Sequence, residues 1–251
     1  MVFGPELMPQ VLQAFYVYQT TPDKDLYANM IINLAPTNGT VVLTLIYLKP
    51  VANPEAYAPF YGFTPLLQEL GFMTLHQLMA LFGNPSLPRW GWYSNVFEPN
   101  SDLYSDISNL IYTAPEVNTI AALEAGTLVA AIQPISSSLV LAGRASNGGN
   151  ALGLQAVNQT WFSFNVGWWN QKDDAVALAA LQSLHAKIDA LAAARGVQLS
   201  YIFMNDANIN QSVIAAYGAT NVDKLRAVQS IYDPNHVFQK LVTGGQKIPA
   251  N

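Results

Sequence analysis

The chain has 251 residues, 51% of them hydrophobic and only 11% charged, with no cysteine and a formal net charge of −5. Eleven Lys and Arg over that length do not supply the basic patch that a phosphate backbone requires, which argues against nucleic acid as a partner. Without cysteine there is no disulfide, no thiolate nucleophile and no thiolate metal site. An average soluble domain carries roughly 25% charged residues. So few charges leave either a large core under a Ser/Thr/Asn surface or an exposed apolar face used for a ligand, a second copy or a partner domain.

Taken in chain order, Pro5 sits where a first helical turn tolerates it, and Leu7, Val11, Leu12, Phe15 and Val17 then predict an amphipathic helix over Glu6–Tyr18. Asn29–Ala35 and Thr40–Leu48 read as strands joined through Pro36-Thr37-Asn38-Gly39, where the Asn-Gly pair favours a hairpin. Short helices are expected over Glu55–Tyr61 and Thr74–Phe82, and Pro85 and Pro88 then break the chain. Arg89–Phe97 reads as an aromatic strand, followed by helices over Ser101–Tyr112 and Glu116–Ala125 and a strand over Thr127–Pro134. Asn147-Gly148-Gly149-Asn150 marks a loop. Trp161–Trp169 is the strongest strand signal, and alanine-rich Asp173–Ala194, with Gly196 behind it, is the strongest helix signal. Tyr201–Asn205 is expected as a short strand and Val222–Ile231 as the last helix.

Strands recurring between helices, with one tight hairpin, predict an α+β fold: a mostly antiparallel sheet covered on one face by helices, formed by residues 1–251 as a single unit. No run of eighteen apolar residues points to a membrane span, and the N-terminus lacks the basic and apolar segments of a secretory signal, so a cytoplasmic protein is expected. The sequons at Asn38, Asn158 and Asn210 carry little weight.

Strand alternation separates two faces. Phe162, Phe164, Val166 and Trp168 form an apolar face, leaving Trp161, Ser163, Asn165 and Trp169 opposite; Asn33 alternates away from Ile32 and Leu34. In the aromatic strand, Trp90 and Trp92 are assigned to the helix-packed side, with Arg89, Tyr93 and Asn95 on the other. The mixed face is then either a small-molecule surface, apolar walls with a few placed polar groups, or the solvated side of a one-sided sheet. His76, His185 and His236 are widely spaced without metal-ligand spacing, and no nucleophile elbow, phosphate loop or dinucleotide fingerprint is present.

The segment 201–247 carries Tyr217-Gly218 ahead of a helix with Asn221 and Leu225, then Tyr232-Asp233-Pro234-Asn235, Val237-Phe238 and Gly244-Gly245. It resembles the C-terminal tail of berberine bridge enzyme-like FAD-linked oxidases, the fungal members in particular. The resemblance implies the same α+β fold, with the sheet face away from the helices forming the ceiling of an active site. It also implies that flavin would be held by an N-terminal domain of which this chain begins at about the end; such a chain would be secreted if it is a piece of a longer oxidase. Family members commonly show Tyr-x-Asn-Tyr where this chain has Phe203-Met204-Asn205-Asp206: the Asn is kept, both tyrosines are lost, and Asp206 becomes either an acid-base candidate or a turn-former.

The expectation that follows is a cofactor-independent cyclase of polyketide or terpenoid biosynthesis, promoting an intramolecular pericyclic step such as a Diels-Alder cycloaddition, with no flavin, nicotinamide or metal. Arg89 or Tyr93 would supply a hydrogen-bond donor, with Asn33, Asn95, Trp161, Ser163, Asn165, Trp169, Asn205 and Asp206 around an apolar substrate. A homodimer would cover the face left open. The competing reading is a non-catalytic accessory protein or the substrate-domain piece of an FAD-dependent oxidoreductase.

Overall fold

A computed structural model describes residues 1–81, 86–146 and 149–250. In chain order the elements are β1 (Val2–Phe3), α1 (Met8–Thr20), β2 (Ala28–Ala35), β3 (Thr40–Tyr47), α2 (Leu75–Leu81), β4 (Arg89–Phe97), α3 (Ser101–Thr113), α4 (Pro115–Ala121), β5 (Thr127–Ile135), α5 (Ser137–Ala145), β6 (Gln159–Trp168), α6 (Asp174–Ala194), α7 (Ala219–Tyr232) and α8 (Val237–Lys240). The strands form one sheet in the order β1-β3-β2-β5-β6-β4, with antiparallel pairing between each described pair of neighbours. The β2–β3 hairpin closes over Pro36–Gly39, and Gly39 supplies the positive φ that the turn requires. The fold is the expected α+β arrangement.

Helices α1, α3, α4 and α6 cover one face of the sheet. Phe15, Leu103, Tyr104, Ile107, Leu181, Leu184 and Ile188 from these helices bury against Ile32, Leu34, Leu43, Leu128, Ile132, Phe162 and Phe164 from the strands. Fully burying each such side chain contributes about 1.5–3 kcal/mol, and the main core lies on this side. At Gly91 of β4 an added Cβ would stand 2.9 Å from Leu181 Cδ2, so the missing side chain lets α6 settle closely onto the strand. Residues Gln171–Ala194, 24 residues at mean hydropathy 1.2, are long and apolar enough to cross a membrane, a match that counting unbroken apolar runs overlooks. Its apolar stripe of Ala177, Leu181, Leu184 and Ile188 is buried in the core.

Several elements depart from expectation for local reasons. Tyr201–Asn205 forms no strand: Leu199 donates its N–H to Val96 O and Val197 accepts from Glu98 N, extending the edge of β4 briefly, but the next edge groups, at Ser94, are taken by the Gln211 side chain. Helix α4 stops at Ala121, and the chain turns through Ala125 at φ 52° into β5. Two helices were not anticipated. Ser136 caps α5 by accepting from Leu139 N, and the Asp233 carboxylate accepts from Val237 N and Phe238 N to start α8. Phe82, Pro85 and the first two positions of the Asn147–Asn150 loop lie outside the described residues.

Candidate functional site

The register decides which residues share a face. In the β4–β6 ladder Tyr93 lies opposite Phe164, Asn95 opposite Phe162 and Arg89 opposite Trp168, while Trp92 faces Asn165 and Ser94 faces Ser163. Phe162, Phe164 and Trp168 belong to the helix-packed core, so Arg89, Tyr93 and Asn95 point to the helices and Trp90 and Trp92 to the open face. This reverses the expectation for β4. Bulk misled the assignment: Arg89 and Asn95 turn toward the helices, where α6 supplies each with a carboxylate neighbour. Arg89 Nε lies 3.2 Å from Asp174 Oδ1, and Asn95 Nδ2 donates to Asp189 Oδ1 at 2.7 Å. Tyr93, 5% exposed, stacks on the His185 ring at 4.5 Å. On the open face Trp90 and Trp92 stack on each other at 5.7 Å.

The open face brings together the other strand candidates. Asn33 pairs with Ala131, Ala131 with Ser163, Val129 with Asn165, and Gln133 with Trp161, so Asn33, Val129, Ala131, Gln133, Trp161, Ser163 and Asn165 project on one side of β2, β5 and β6. The chain after α6 crosses this side. Trp161 packs on Phe203, with centroids 4.3 Å apart, and on Tyr201 at 5.2 Å, within a second cluster of buried residues that includes Val96, Leu199, Val213 and Tyr217. Gln211 fastens the crossing: its Oε1 accepts from Ser94 N at 3.0 Å and its Nε2 donates to Ser94 O at 2.8 Å, as a neighbouring strand would. Asn208 Nδ2 donates to Trp92 O at 2.9 Å. Neither Gln211 nor Asn208 stands out in the sequence; the clustering of Asn208, Asn210, Gln211 and Ser212 is the signal that could have found them.

The crossing delivers Asp206 to the face. It closes a 3-10 turn, Met204–Asp206, and accepts from Gln133 Nε2 at 3.4 Å. Burial pushes its carboxyl above the usual carboxylate range, and the Ser163 hydroxyl partly offsets this. The Ser163 hydroxyl has one proton to give, and Asn165 Oδ1, 3.1 Å away, is its alternative acceptor. Asn205, in the same turn, is exposed, and Trp169 lies one residue past the end of β6 and is 48% exposed. Those two stand apart from the group. The assembled set is therefore Asn33, Gln133, Ser163, Asn165 and Asp206, flanked by Trp92, Trp161 and Phe203.

Among the described residues no group of three or more His, Asp or Glu is placed to hold a metal. A flavin does not fit the described residues on their own terms. The open-face set could border a flat ring, but strands β2 to β6 carry no Lys or Arg on that face to hold a pyrophosphate.

No family model matches the chain. Among characterised proteins it is 34% identical over 242 residues to an FAD-dependent monooxygenase of Arthrobotrys oligospora, covering 94% of this chain and 46% of that protein. It is 29% identical over 251 residues to the bifunctional solanapyrone synthase of Alternaria solani, covering 99% of this chain and 48% of that one. The chain thus spans about half the length of the relatives it matches. Among solved structures, berberine bridge enzyme-like 1 of Physcomitrella patens superposes with a TM-score of 0.69 at 13% identity, over 99% of this chain and 52% of that one, a likeness of fold.

Proposed function

The chain belongs to the berberine bridge enzyme-like family of FAD-linked oxidases, matching one half of its fungal members, and we propose that it holds an apolar polyketide or terpenoid precursor against its open sheet face and promotes intramolecular ring closure there. The observation that carries this reading is the position of Asp206: a half-buried carboxyl held against Gln133 and Ser163, beside the aromatic surfaces of Trp161 and Phe203. An aromatic wall with few placed polar groups suits an apolar ligand that carries one polar handle.

A Diels-Alder cycloaddition needs little more. A diene and an alkene on one molecule exchange π bonds for two new σ bonds, no electron enters or leaves, and no proton is required. Holding the two ends in contact can lower the barrier by several kcal/mol. A hydrogen bond from the Asn165 side-chain amide to a carbonyl on the alkene would draw electron density from it and stabilise the charge that develops during closure. That a relative of this chain is named a bifunctional synthase supports a second activity beside oxidation within this family.

A second reading is favoured by the names and lengths of the relatives: FAD-dependent monooxygenases about twice as long, of which this chain would be the substrate-binding half. One experiment separates the two. A linear triene bearing an activated alkene is incubated with the purified chain, with and without added FAD, and the products are resolved by chiral chromatography. Enantiomeric excess in the flavin-free sample supports cyclisation; racemic product at the uncatalysed rate in both samples refutes it.

A further inference from the structure

The segment from Leu66 to Leu81 turns most of its apolar side chains to solvent. Leu66, Leu70, Phe72, Leu75, Met79 and Leu81 are each more than half exposed. Glu69 is the only Asp, Glu, Lys or Arg in the segment. At roughly 100 Å² apiece these six side chains present on the order of 600 Å² of apolar surface, the upper end of the largest patch on a typical monomer and most of the ~800 Å² that one partner brings to a standard interface.

Local bonds, not a core, hold this segment. Leu66 N donates to Val2 O at 2.7 Å and Val2 N donates to Leu67 O at 2.8 Å, which pins its start to the edge strand β1. Thr74 then opens α2 with a reciprocal cap: its Oγ1 accepts from Gln77 N at 3.3 Å, and Gln77 Oε1 accepts from Thr74 N at 2.8 Å. Yet none of the residues of α2 is buried. Isolated helices shorter than about 12–15 residues are marginal in water, so a helix of this length with an uncovered apolar face gains most of its stability from whatever covers it.

The segment carries both a groove and a projection. A groove of about 500 Å³ is lined by Gln68, Glu69, Leu70, Met73, Gln77 and Leu81. Phe72 lies in the chain between two of those residues and stands 74% exposed beside them. A two-fold axis passing near Phe72 would carry each ring to the groove of the other copy, and such a contact needs only one patch per chain. A phospholipid surface would find no Lys or Arg in the segment for its phosphates.

We propose that this surface is a homodimer interface in which Phe72 of each copy inserts between Leu70, Met73 and Leu81 of the other. It is independent of the reading of the open sheet face as the ligand surface, since the two depend on different residues. Sedimentation equilibrium of the purified chain from about 1 to 200 μM should show a dimer forming in that range. Phe72→Glu puts a carboxylate against the apolar groove and should weaken the dimer at least about 100-fold. Tyr232→Glu, at an 80% exposed aromatic of α7, should leave it unchanged. Both positions are exposed, and far-UV circular dichroism checks that each variant keeps its fold. The chain has no cysteine, so a mixture of Phe72→Cys and Gln77→Cys copies should cross-link on mild oxidation, whereas Tyr232→Cys should not. A monomer throughout the concentration range overturns the proposal. So does a dimer that Phe72→Glu leaves intact or that Tyr232→Glu dissociates. A monomer that binds phosphatidylcholine vesicles through Phe72 would identify a lipid surface instead and overturn it as well.

Discussion

Replacing Gln211 by Ala removes the side chain that closes the edge of the sheet, and its cost can be worked from three contacts. Gln211 Oε1 accepts from Ser94 N and from Asn208 N, each at 3.0 Å, and Nε2 donates to Ser94 O at 2.8 Å. Ser94 and Asn208 are both buried, so truncation leaves three backbone groups without their partner. A hydrogen bond of this type contributes about 1 kcal/mol net, and a group left dry and unpaired costs about 1–3 kcal/mol. A cleft of about 540 Å³ beside Ser94 and Gln211 admits water, which places the sum toward the lower end, at about 2–3 kcal/mol. That is a substantial part of the ~5–15 kcal/mol that holds a domain folded. Urea unfolding at equilibrium measures it, and native-state hydrogen exchange should show the Ser94 amide losing protection more than amides of β5. The same change should loosen the segment that carries Phe203 and Asp206, admit water to Asp206 and lower its raised pKa. A variant within about 0.5 kcal/mol of wild type, with Ser94 still protected, would refute the account of Gln211 as a surrogate strand.

Asp206 gives a pH prediction whose sign follows from burial. Its folded pKa is raised, so the native state retains a proton that the unfolded chain releases, and stability falls as pH rises from the unfolded value through the folded one. Asp206→Asn should therefore match wild type near about pH 3 and exceed it near about pH 8 in urea melts, since only the wild type ionises in between; a constant difference would show that Asp206 is not the group responsible. Tyr93→Ala should cost about 3–5 kcal/mol, because the ring is buried against His185 in the helix-packed layer, whereas Tyr93→Phe should leave thermal stability unchanged. Arg89→Ala breaks a partly exposed pair with Asp174 and should cost no more than about 1 kcal/mol by thermal denaturation. Tyr104→Phe removes a buried hydroxyl shared with Gln19 and Thr160 and should cost about 1–3 kcal/mol by thermal denaturation.

Much of the architecture could be read from local patterns because the forces behind it are local or periodic. The hairpin follows from Asn38-Gly39, α6 from twenty-one residues of alanine-rich sequence, and the two faces of β6 from strict alternation between Phe162, Phe164, Val166 and their polar neighbours. The same alternation placed Asn33, Ser163 and Asn165 on the open side, and the altered tail motif singled out Asp206. For β4 the pattern was ambiguous. Both of its faces carry aromatics and polar groups, and residue type alone does not tell whether a polar side chain is solvated or paired in the interior.

Which way β4 turns was decided only by the partners it meets in three dimensions. Asp174 and Asp189 lie on α6, some ninety residues further along; the ion pair to Arg89 and the hydrogen bond from Asn95 Nδ2 lower the cost of turning those polar groups to the helices and leave Trp90 and Trp92 on the open face. The tail follows the same logic. An amide at position 211 takes the edge hydrogen bonds that a strand over Tyr201–Asn205 would have needed, and thereby carries Asp206 across to Gln133. Composition and alternation determined a one-sided sheet bearing a polar, aromatic face; long-range hydrogen bonding determined which residues that face holds, because a paired polar group can be buried and an unpaired one cannot.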